Sequence, residues 1–368
     1  MGFSQINIKN LESNTRTIKD LVKETEIMAI VKADAYGHGA VECSRAVLRS
    51  GASSLGVATF EEALELREAG IKEEIVILTH IEEKNYREAI LNDLNITISY
   101  FEQGAALQKI AIAEEKQAKI QIKINTGLNR NGFRPMDDHL RAIISLGTAK
   151  NIKITGIYSH LADATDEEFT LFQNTHFNFM VRNAARYFKF KSHISASAGI
   201  LEFPELNYDM VRPGLVLYGV NPPGTSLKLL SLKPVMSLHS RISFIHYVIK
   251  GESVGYERDH IMKNDGVIAV VPIGYADGYP STLEGVASVI ILGRECDVIG
   301  KICMDQIIVD VTLLAGKVEV NKTLVTLIGE DLESNKKIKI EEISSLSKLG
   351  IREIMCARSS RRIPRVYV

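Results

Sequence analysis

The apolar run IMAIV (27–31) leads directly into Lys32, and the segment ADAYGHG (33–39) follows at once. A lysine in this position either carries its ammonium to solvent on its aliphatic stem or is held in a pocket with little water. In a dry pocket burial disfavours the charged form, and the neutral amine can attack an aldehyde to form a Schiff base. Gly37 and Gly39 permit close approach of the backbone to another group, and Tyr36 offers a hydroxyl four residues from Lys32. The ends of other short apolar runs carry Thr59, His80, Tyr100, Asn125, His160, Ser197 and Arg212. Singly, each is compatible with a structural or surface role. A lysine, a histidine, a serine and an arginine gathered on one rim would form a reaction site. Ser197-Ala198-Gly199 and the amides of Gly214 and Leu215, just after Arg212, suit an anion such as phosphate.

Gathering these residues requires elements that end in one place. Eight short apolar runs precede residue 230, at 27–32, 55–59, 75–80, 96–100, 119–125, 154–160, 192–197 and 209–219. They recur every 20–40 residues or so, the spacing of βα units. Helical signals lie between them. Thr59 and Glu62 in TFEEALELREAG form a capping box, Gly70 supplies a stop, and AVECSRAVLRSG (40–51) has helical apolar spacing. The repeat predicts an α/β fold, a closed (β/α)8 barrel with its chemistry at the C-terminal ends of the strands. An open doubly wound sheet is the alternative. After about residue 232 strands follow at short intervals and helical periodicity is nearly absent, apart from about 341–349. This predicts a second, mostly antiparallel β domain. The expected domains are 1–230 and 231–368, with VNPPGTS (220–226) as linker and the first few residues as candidates for the β domain.

Composition narrows the class. The 368 residues are 45% hydrophobic and 24% charged, with net charge −1, which argues against nucleic acid or an anionic membrane as partner. Arg358, Arg361, Arg362 and Arg365 form the one basic cluster, which reads as salt bridging on a terminal strand. No apolar run reaches the roughly 18–20 residues of a membrane helix. MGFSQINIKNLESN has no signal-peptide layout, and MGFSQI lacks the Ser or Thr of a myristoylation start. Cys43, Cys296, Cys303 and Cys356 show no metal-ligand spacing and read as free thiols of a cytoplasmic protein.

AIVKADAYGHGA resembles the pyridoxal-phosphate signature of the alanine racemase family. KINTGLNRNGF (123–133), GIYSHLADA (156–164), VRPGLVLYG (211–219), GESVGYE (251–257), VPIGYADGYP (271–280), GKICMDQ (300–306) and RRIPRVY (361–367) resemble further family segments, in the family's order. The resemblance implies an eight-stranded barrel followed by a β domain, pyridoxal 5'-phosphate as cofactor, no metal, and a head-to-tail homodimer whose active sites use both chains. It implies that Lys32 carries the cofactor and is the base on one face of the substrate, with Tyr256 of the other subunit on the opposite face. Tyr36, Ser197 and the amides of Gly214 and Leu215 would hold the phosphate, and Arg212 would face the pyridine nitrogen. His160 would bond Tyr256 and Arg212. Arg130 would sit near the ring hydroxyl and the substrate carboxylate, and Lys123 matches a lysine carbamylated in many relatives. Met304 would contact the substrate carboxylate, with Asp305 beside it, and Tyr275 would line the entrance.

The implied activity is interconversion of L- and D-alanine, supplying D-alanine for peptidoglycan. The two bases match the minimum for a two-base racemase. A guanidinium stays protonated, so the ring nitrogen facing Arg212 gains no proton and withdraws less charge from the carbanion. A racemase of broader range, acting on serine for example, is the nearest alternative. A decarboxylase would place a carboxylate where Arg212 stands, and a non-catalytic cofactor-binding protein would lack the β domain. Asn125, Leu128, Ala196 and Arg361 depart from the usual Asp, Met, Asn and Tyr, and none of these removes a catalytic group.

Overall fold

The computed structural model describes residues 2–225, 229–357 and 362–368. Ser226 of the expected linker, and Arg358 and Arg361 of the basic cluster, lie outside the described residues. The chain divides into two units, one of residues 10–35 and 40–233, the other of residues 1–9, 36–39 and 234–368. Strand β1 (Phe3–Ile6) belongs to the second.

The first unit is a nearly closed parallel barrel. Its strands are β2 (Glu26–Ile30), β3 (Ser54–Val57), β4 (Glu74–Ile77), β5 (Asn95–Ile98), β6 (Ala118–Lys123), β7 (Ile152–Tyr158), β8 (Lys191–His193) and β9 (Met210–Val211). Neighbours in sequence pair in parallel from β2 to β8, and β9 pairs with β2. A bridge between Ala196 and Arg212 joins the last segment to the end of β8, with Arg212 N donating to Ser195 O at 2.9 Å. The open-sheet alternative is thereby set aside.

Each expected run contains a strand, yet each strand stops short of the run's polar end. The greatest shortfall is at 209–219, where only Met210 and Val211 are extended and Leu215–Tyr218 form a 3-10 turn. Pro213 lacks the N–H that a longer ladder needs. Its carbonyl still accepts from Ile30 N at 3.0 Å, and Tyr218 Oη donates to Ile30 O at 2.9 Å. In β6 the alternation of KIQIKI (119–124) separates two faces. Ile120, Ile122 and Ile124 are buried on one, and Gln121 and Lys123 are buried polar residues on the other.

The second unit contains β10 (Met236–Arg241), β11 (Phe244–Val248), β12 (Ser253–Val254), β13 (His260–Ile261), β14 (Gly266–Val271), β15 (Ser288–Ile291), β16 (Arg294–Ile299), β17 (Ile307–Asp310), β18 (Leu324–Glu330), β19 (Lys337–Ile338) and β20 (Arg365–Tyr367). The main sheet runs β11-β14-β17-β16-β15-β18-β10-β1-β20 and is antiparallel except where β1 meets β20. Val289, Val298, Val309, Val325 and Leu327 lie in its apolar core. Helix Ile340–Ser347 falls where the periodicity placed it, but helix Ile351–Cys356 was not foreseen because six residues are too few to show a period. No helix among the described residues is long and apolar enough to cross a membrane.

His239 in β10 is fully buried in this unit. Its Nδ1–H donates to Thr326 Oγ1 at 3.1 Å, and that hydroxyl donates to Asp331 Oδ1 at 2.7 Å. Among the described residues Nε2 has no partner, so protonation would place an unsatisfied cation in the core. Burial lowers the imidazole to about 4 from its ordinary 6.5, with Asp331 opposing. A depressed histidine contributes its full stability above the unfolded value and loses it as pH falls through the window down to the folded one. Urea denaturation from pH 6.5 to pH 4 is expected to cost the wild type about 3 kcal/mol more than His239→Phe, which has no proton to gain. Equal acid sensitivity of the two proteins would refute the assignment.

Candidate active site

Lys32 opens a turn, Lys32–Gly37, that is helical in hydrogen bonding but left-handed. Ala33, Asp34, Ala35 and Tyr36 have φ of 51°, 53°, 52° and 54°, and Gly37 has φ of 79°. Each non-glycine residue in that region costs about 1–2 kcal/mol relative to the right-handed form. The stretch that follows Lys32 is thus wound, and it persists because side-chain bonds hold it. Glu62 Oε1 accepts from Ala33 N at 2.7 Å, and Asp34 Oδ1 accepts from Ala40 N at 2.7 Å. Glu62 also closes the capping box, its Oε2 accepting from Thr59 N at 3.3 Å while Thr59 Oγ1 accepts from Glu62 N at 3.2 Å. One carboxylate therefore fixes both a helix start and the backbone next to Lys32.

Arg212 is 3% exposed. Its guanidinium donates to His193 Nδ1 at 2.7 Å, Ser159 O at 2.7 Å, Ile194 O at 2.9 Å and His160 Nδ1 at 3.2 Å. These bonds use the two terminal nitrogens, and none uses Nε. Because Nδ1 of each histidine accepts, each carries its proton on Nε2; that of His193 donates to Gln121 Oε1 at 3.0 Å. Tyr158 lies beneath the group. Its ring stacks on His193 with centroids 5.0 Å apart, with Lys123 Nζ at 4.7 Å and the Arg212 guanidinium carbon at 5.3 Å from its centroid.

Among the described residues the charges that shift Lys123 and His160 are all positive. Burial, then Arg212, Arg130 and Lys32, lower Lys123 to about 7. Burial and then Arg212, Lys123, Arg130 and Lys32 hold His160 well below its ordinary range, so its ring is neutral. Burial brings Arg212 down to about 10, which still leaves it a cation at neutral pH. Such a cluster suits a ligand with several negative charges. Arg130 is exposed on a loop closed by the Ile124–Phe133 bridge and organised by Asn125, whose Oδ1 accepts from Asn129 N at 2.9 Å.

Ser197 begins the short helix Ser197–Glu202, and its Oγ accepts from Gly214 N at 3.0 Å. Leu215 follows at the start of its 3-10 turn. The Ser197 hydroxyl and the Gly214 amide thus lie side by side, with that amide donating to the hydroxyl.

In the second unit Tyr36 is buried, which raises its phenol, while Arg352 pulls it down and Cys356 pushes it up. Tyr256, Met304 and Tyr275 are 68%, 53% and 47% exposed. Tyr256 follows Gly255 (φ 80°) between β12 and β13. Tyr275 and Met304 sit on adjoining loops, where Tyr275 N donates to Cys303 O at 3.1 Å and Ala276 N to Met304 O at 3.0 Å. A Cβ on Gly274 would lie 2.3 Å from Cys303 O, so only glycine allows this approach. Arg362 links the loops through Asp277, at 2.7 Å, and Asp305.

Of the strand-end residues, Lys32, His160 and Arg212 fall within one electrostatic group, joined by Lys123 and Arg130. Thr59 is a helix cap, His80 bonds Gln103, and Asn125 serves its own loop. Sequence reading missed Tyr158, His193 and Gln121 as supports of Arg212, and Glu62 as support of the Lys32 turn. The polar alternation of KIQIKI and the capping box were the available signals. Glu62→Ala is expected to cost about 1–2 kcal/mol and to speed hydrogen exchange at the Ala33 amide. Thr59→Ala is expected to cost the cap alone and leave Ala33 protected.

The chain is similar to known proteins over its whole length. Residues 6–222 match the family described as alanine racemase, N-terminal domain, and residues 235–367 the alanine racemase, C-terminal domain. An alanine racemase from Clostridium novyi is 37% identical over 371 residues, covering 100% of this chain and 95% of that protein. The solved alanine racemase of Clostridium difficile superposes with TM-score 0.93 at 33% identity, covering 100% of this chain and 95% of that one. The alanine racemase of Bartonella henselae, solved with covalently bound pyridoxal phosphate, has TM-score 0.86 at 27% identity, with 100% and 99% covered. A matched barrel, a matched β unit and full-length relatives together establish that this chain belongs to the alanine racemase family.

Proposed function

We propose that this chain interconverts L- and D-alanine with pyridoxal 5'-phosphate as cofactor, and so supplies D-alanine for cell-wall synthesis. The observation that carries the reading is the group of cations Lys32, Lys123, Arg130 and Arg212, with no carboxylate among the described residues acting on Lys123 or His160, in a chain of this family. The residues fit the cofactor. An N–H of the Arg212 guanidinium not used by protein acceptors suits a pyridine nitrogen, which is an acceptor. Ser197 Oγ and the Gly214 and Leu215 amides, with Tyr36, suit a phosphate. When bound, the cofactor supplies an aldehyde that captures the substrate amine and a ring that acidifies Cα–H.

The chain's own groups then move the proton. Lys32 would hold the cofactor and, once released by the substrate amine, take or return the proton on one face. Tyr256, contributed by a second copy in a homodimer, would serve the other face. A phenol of ordinary pKa about 10 is a poor base at neutral pH. The Nε2–H of His160 would donate to its oxygen and favour the deprotonated form. Arg212, held by four acceptors, keeps its charge and would donate to the ring nitrogen without giving up its proton. Arg130 and Met304 would position the substrate carboxylate, with Tyr275 at the entrance. A lysine lowered to about 7 is largely neutral at cellular pH, so Lys123 would react with carbon dioxide to give the carbamate that orients Arg130. We place the enzyme in the cytoplasm.

Purified protein with pyridoxal phosphate is expected to make D-alanine from L-alanine, measured chirally, with L-serine and L-lysine as separate arms. Borohydride is expected to fix the cofactor on Lys32, and Lys32→Ala to abolish both results. Tyr256→Phe is expected to retain solvent-deuterium exchange from one enantiomer of alanine and lose it from the other. Conversion of serine alone would change the substrate, and bound cofactor with no conversion of any would overturn the activity. Symmetric loss of exchange in Tyr256→Phe would refute the two-base assignment.

A further inference from the structure

The N-terminal ends of the barrel strands, opposite the end that carries Lys32, line a solvent-open cavity of about 470 Å³. Lys72, Lys119, Lys153, Lys189 and Lys191 line it, against two carboxylates, Glu74 and Asp93. Lys119 pairs with Asp93 at 2.7 Å, and Lys191 pairs with Glu26 at 2.7 Å. Among the described residues no ion pair engages Lys72, Lys153 or Lys189, although Glu74 feels the charges of Lys191, Lys119 and Lys153 together. With Glu26 the five lysines meet three carboxylates, so two positive charges remain in excess at the cavity. Surface lysines that merely balance nearby acids would not leave this surplus.

A second observation comes from Asn95, which lines the cavity and is 1% exposed. Its Oδ1 accepts from Thr155 Oγ1 at 2.6 Å, whereas its amide nitrogen makes no hydrogen bond among the described residues. That nitrogen is not sealed from solvent, so it is a donor that a ligand acceptor at the cavity can meet. Phe190 gives the same cavity an aromatic wall. The volume lies within the ordinary range for small-molecule sites.

We propose that this cavity binds a small phosphorylated molecule, with the ammonium groups of Lys72, Lys153 and Lys189 and the Asn95 amide on phosphate oxygens and Phe190 beside the organic part. Lysine binds phosphate as a point charge, so the contact is sensitive to salt. The site is separate from the cofactor's and does not depend on the racemase reading.

Calorimetry on the pyridoxal-phosphate-loaded protein, freed of excess cofactor, tests it with ribose 5-phosphate and inorganic phosphate in separate arms. Saturable binding of one molecule per chain is expected, weakened about tenfold or more in Lys153→Met/Lys189→Met and weakened by added salt. Both lysines are exposed, so the variant is expected to keep its fold and its alanine turnover. Asn95→Asp, which exchanges the unpartnered donor for an acceptor, is expected to lose binding as well. The arms distinguish a bare phosphate from an organic one. No saturable heat with either probe, or equal affinity in the lysine variant, overturns the proposal.

Discussion

A guanidinium buried without a carboxylate is the constraint on which the site depends. Arg212 loses nearly all its water and can remain charged only if neutral acceptors replace it. Two carbonyls and two histidine nitrogens do so, and each acceptor fixes something further. The bond to His193 sets its tautomer and thereby orients Gln121. The bond to His160 leaves that ring's proton on Nε2. Through Gln121 and Thr155 the hydrogen bonds continue to Asn95, so polar contacts run along the barrel interior from one end toward the other. A carboxylate beside Arg212 would relieve its charge but also neutralise the field that an anionic cofactor requires.

The surrounding cations gain their chemistry from the same absence of negative charge. Lys123 is lowered first by burial and then by three like charges, a combination that favours a neutral amine. His160 is neutral for the same reasons. The left-handed turn after Lys32 is the backbone counterpart of this electrostatic strain. It is unfavourable residue by residue; Glu62 maintains it by accepting the Ala33 amide, and Asp34 ties it to the following helix by accepting the Ala40 amide.

Much of this was legible in the chain. Strand positions followed from short apolar runs, and the capping box at Thr59 and Glu62 is present as read. The ends of the strands were not, because a polar residue that continues an apolar run carries no local sign of whether its backbone stays extended. At 209–219 the proline decides where the ladder stops. The handedness of Ala33–Tyr36 has no local signature either, since alanine and tyrosine ordinarily avoid that region and only bonds from distant residues hold them there. Helix Ile351–Cys356 was missed because six residues carry too little periodicity.

By itself the sequence determined which residue types were available and on which face of each strand they stood, because a period of two and a period of 3.6 are local properties of the backbone. It also determined the family, through motifs spread over nearly the whole chain. Only the tertiary structure decided which of the polar residues share an environment. Lys32, Lys123, His160 and Arg212 are separated by tens of residues, and their effect on one another depends on distance through a low-dielectric interior. Burial and mutual approach exist only once the barrel closes, and those two quantities make a lysine neutral, a histidine an acceptor and an arginine a fixed charge.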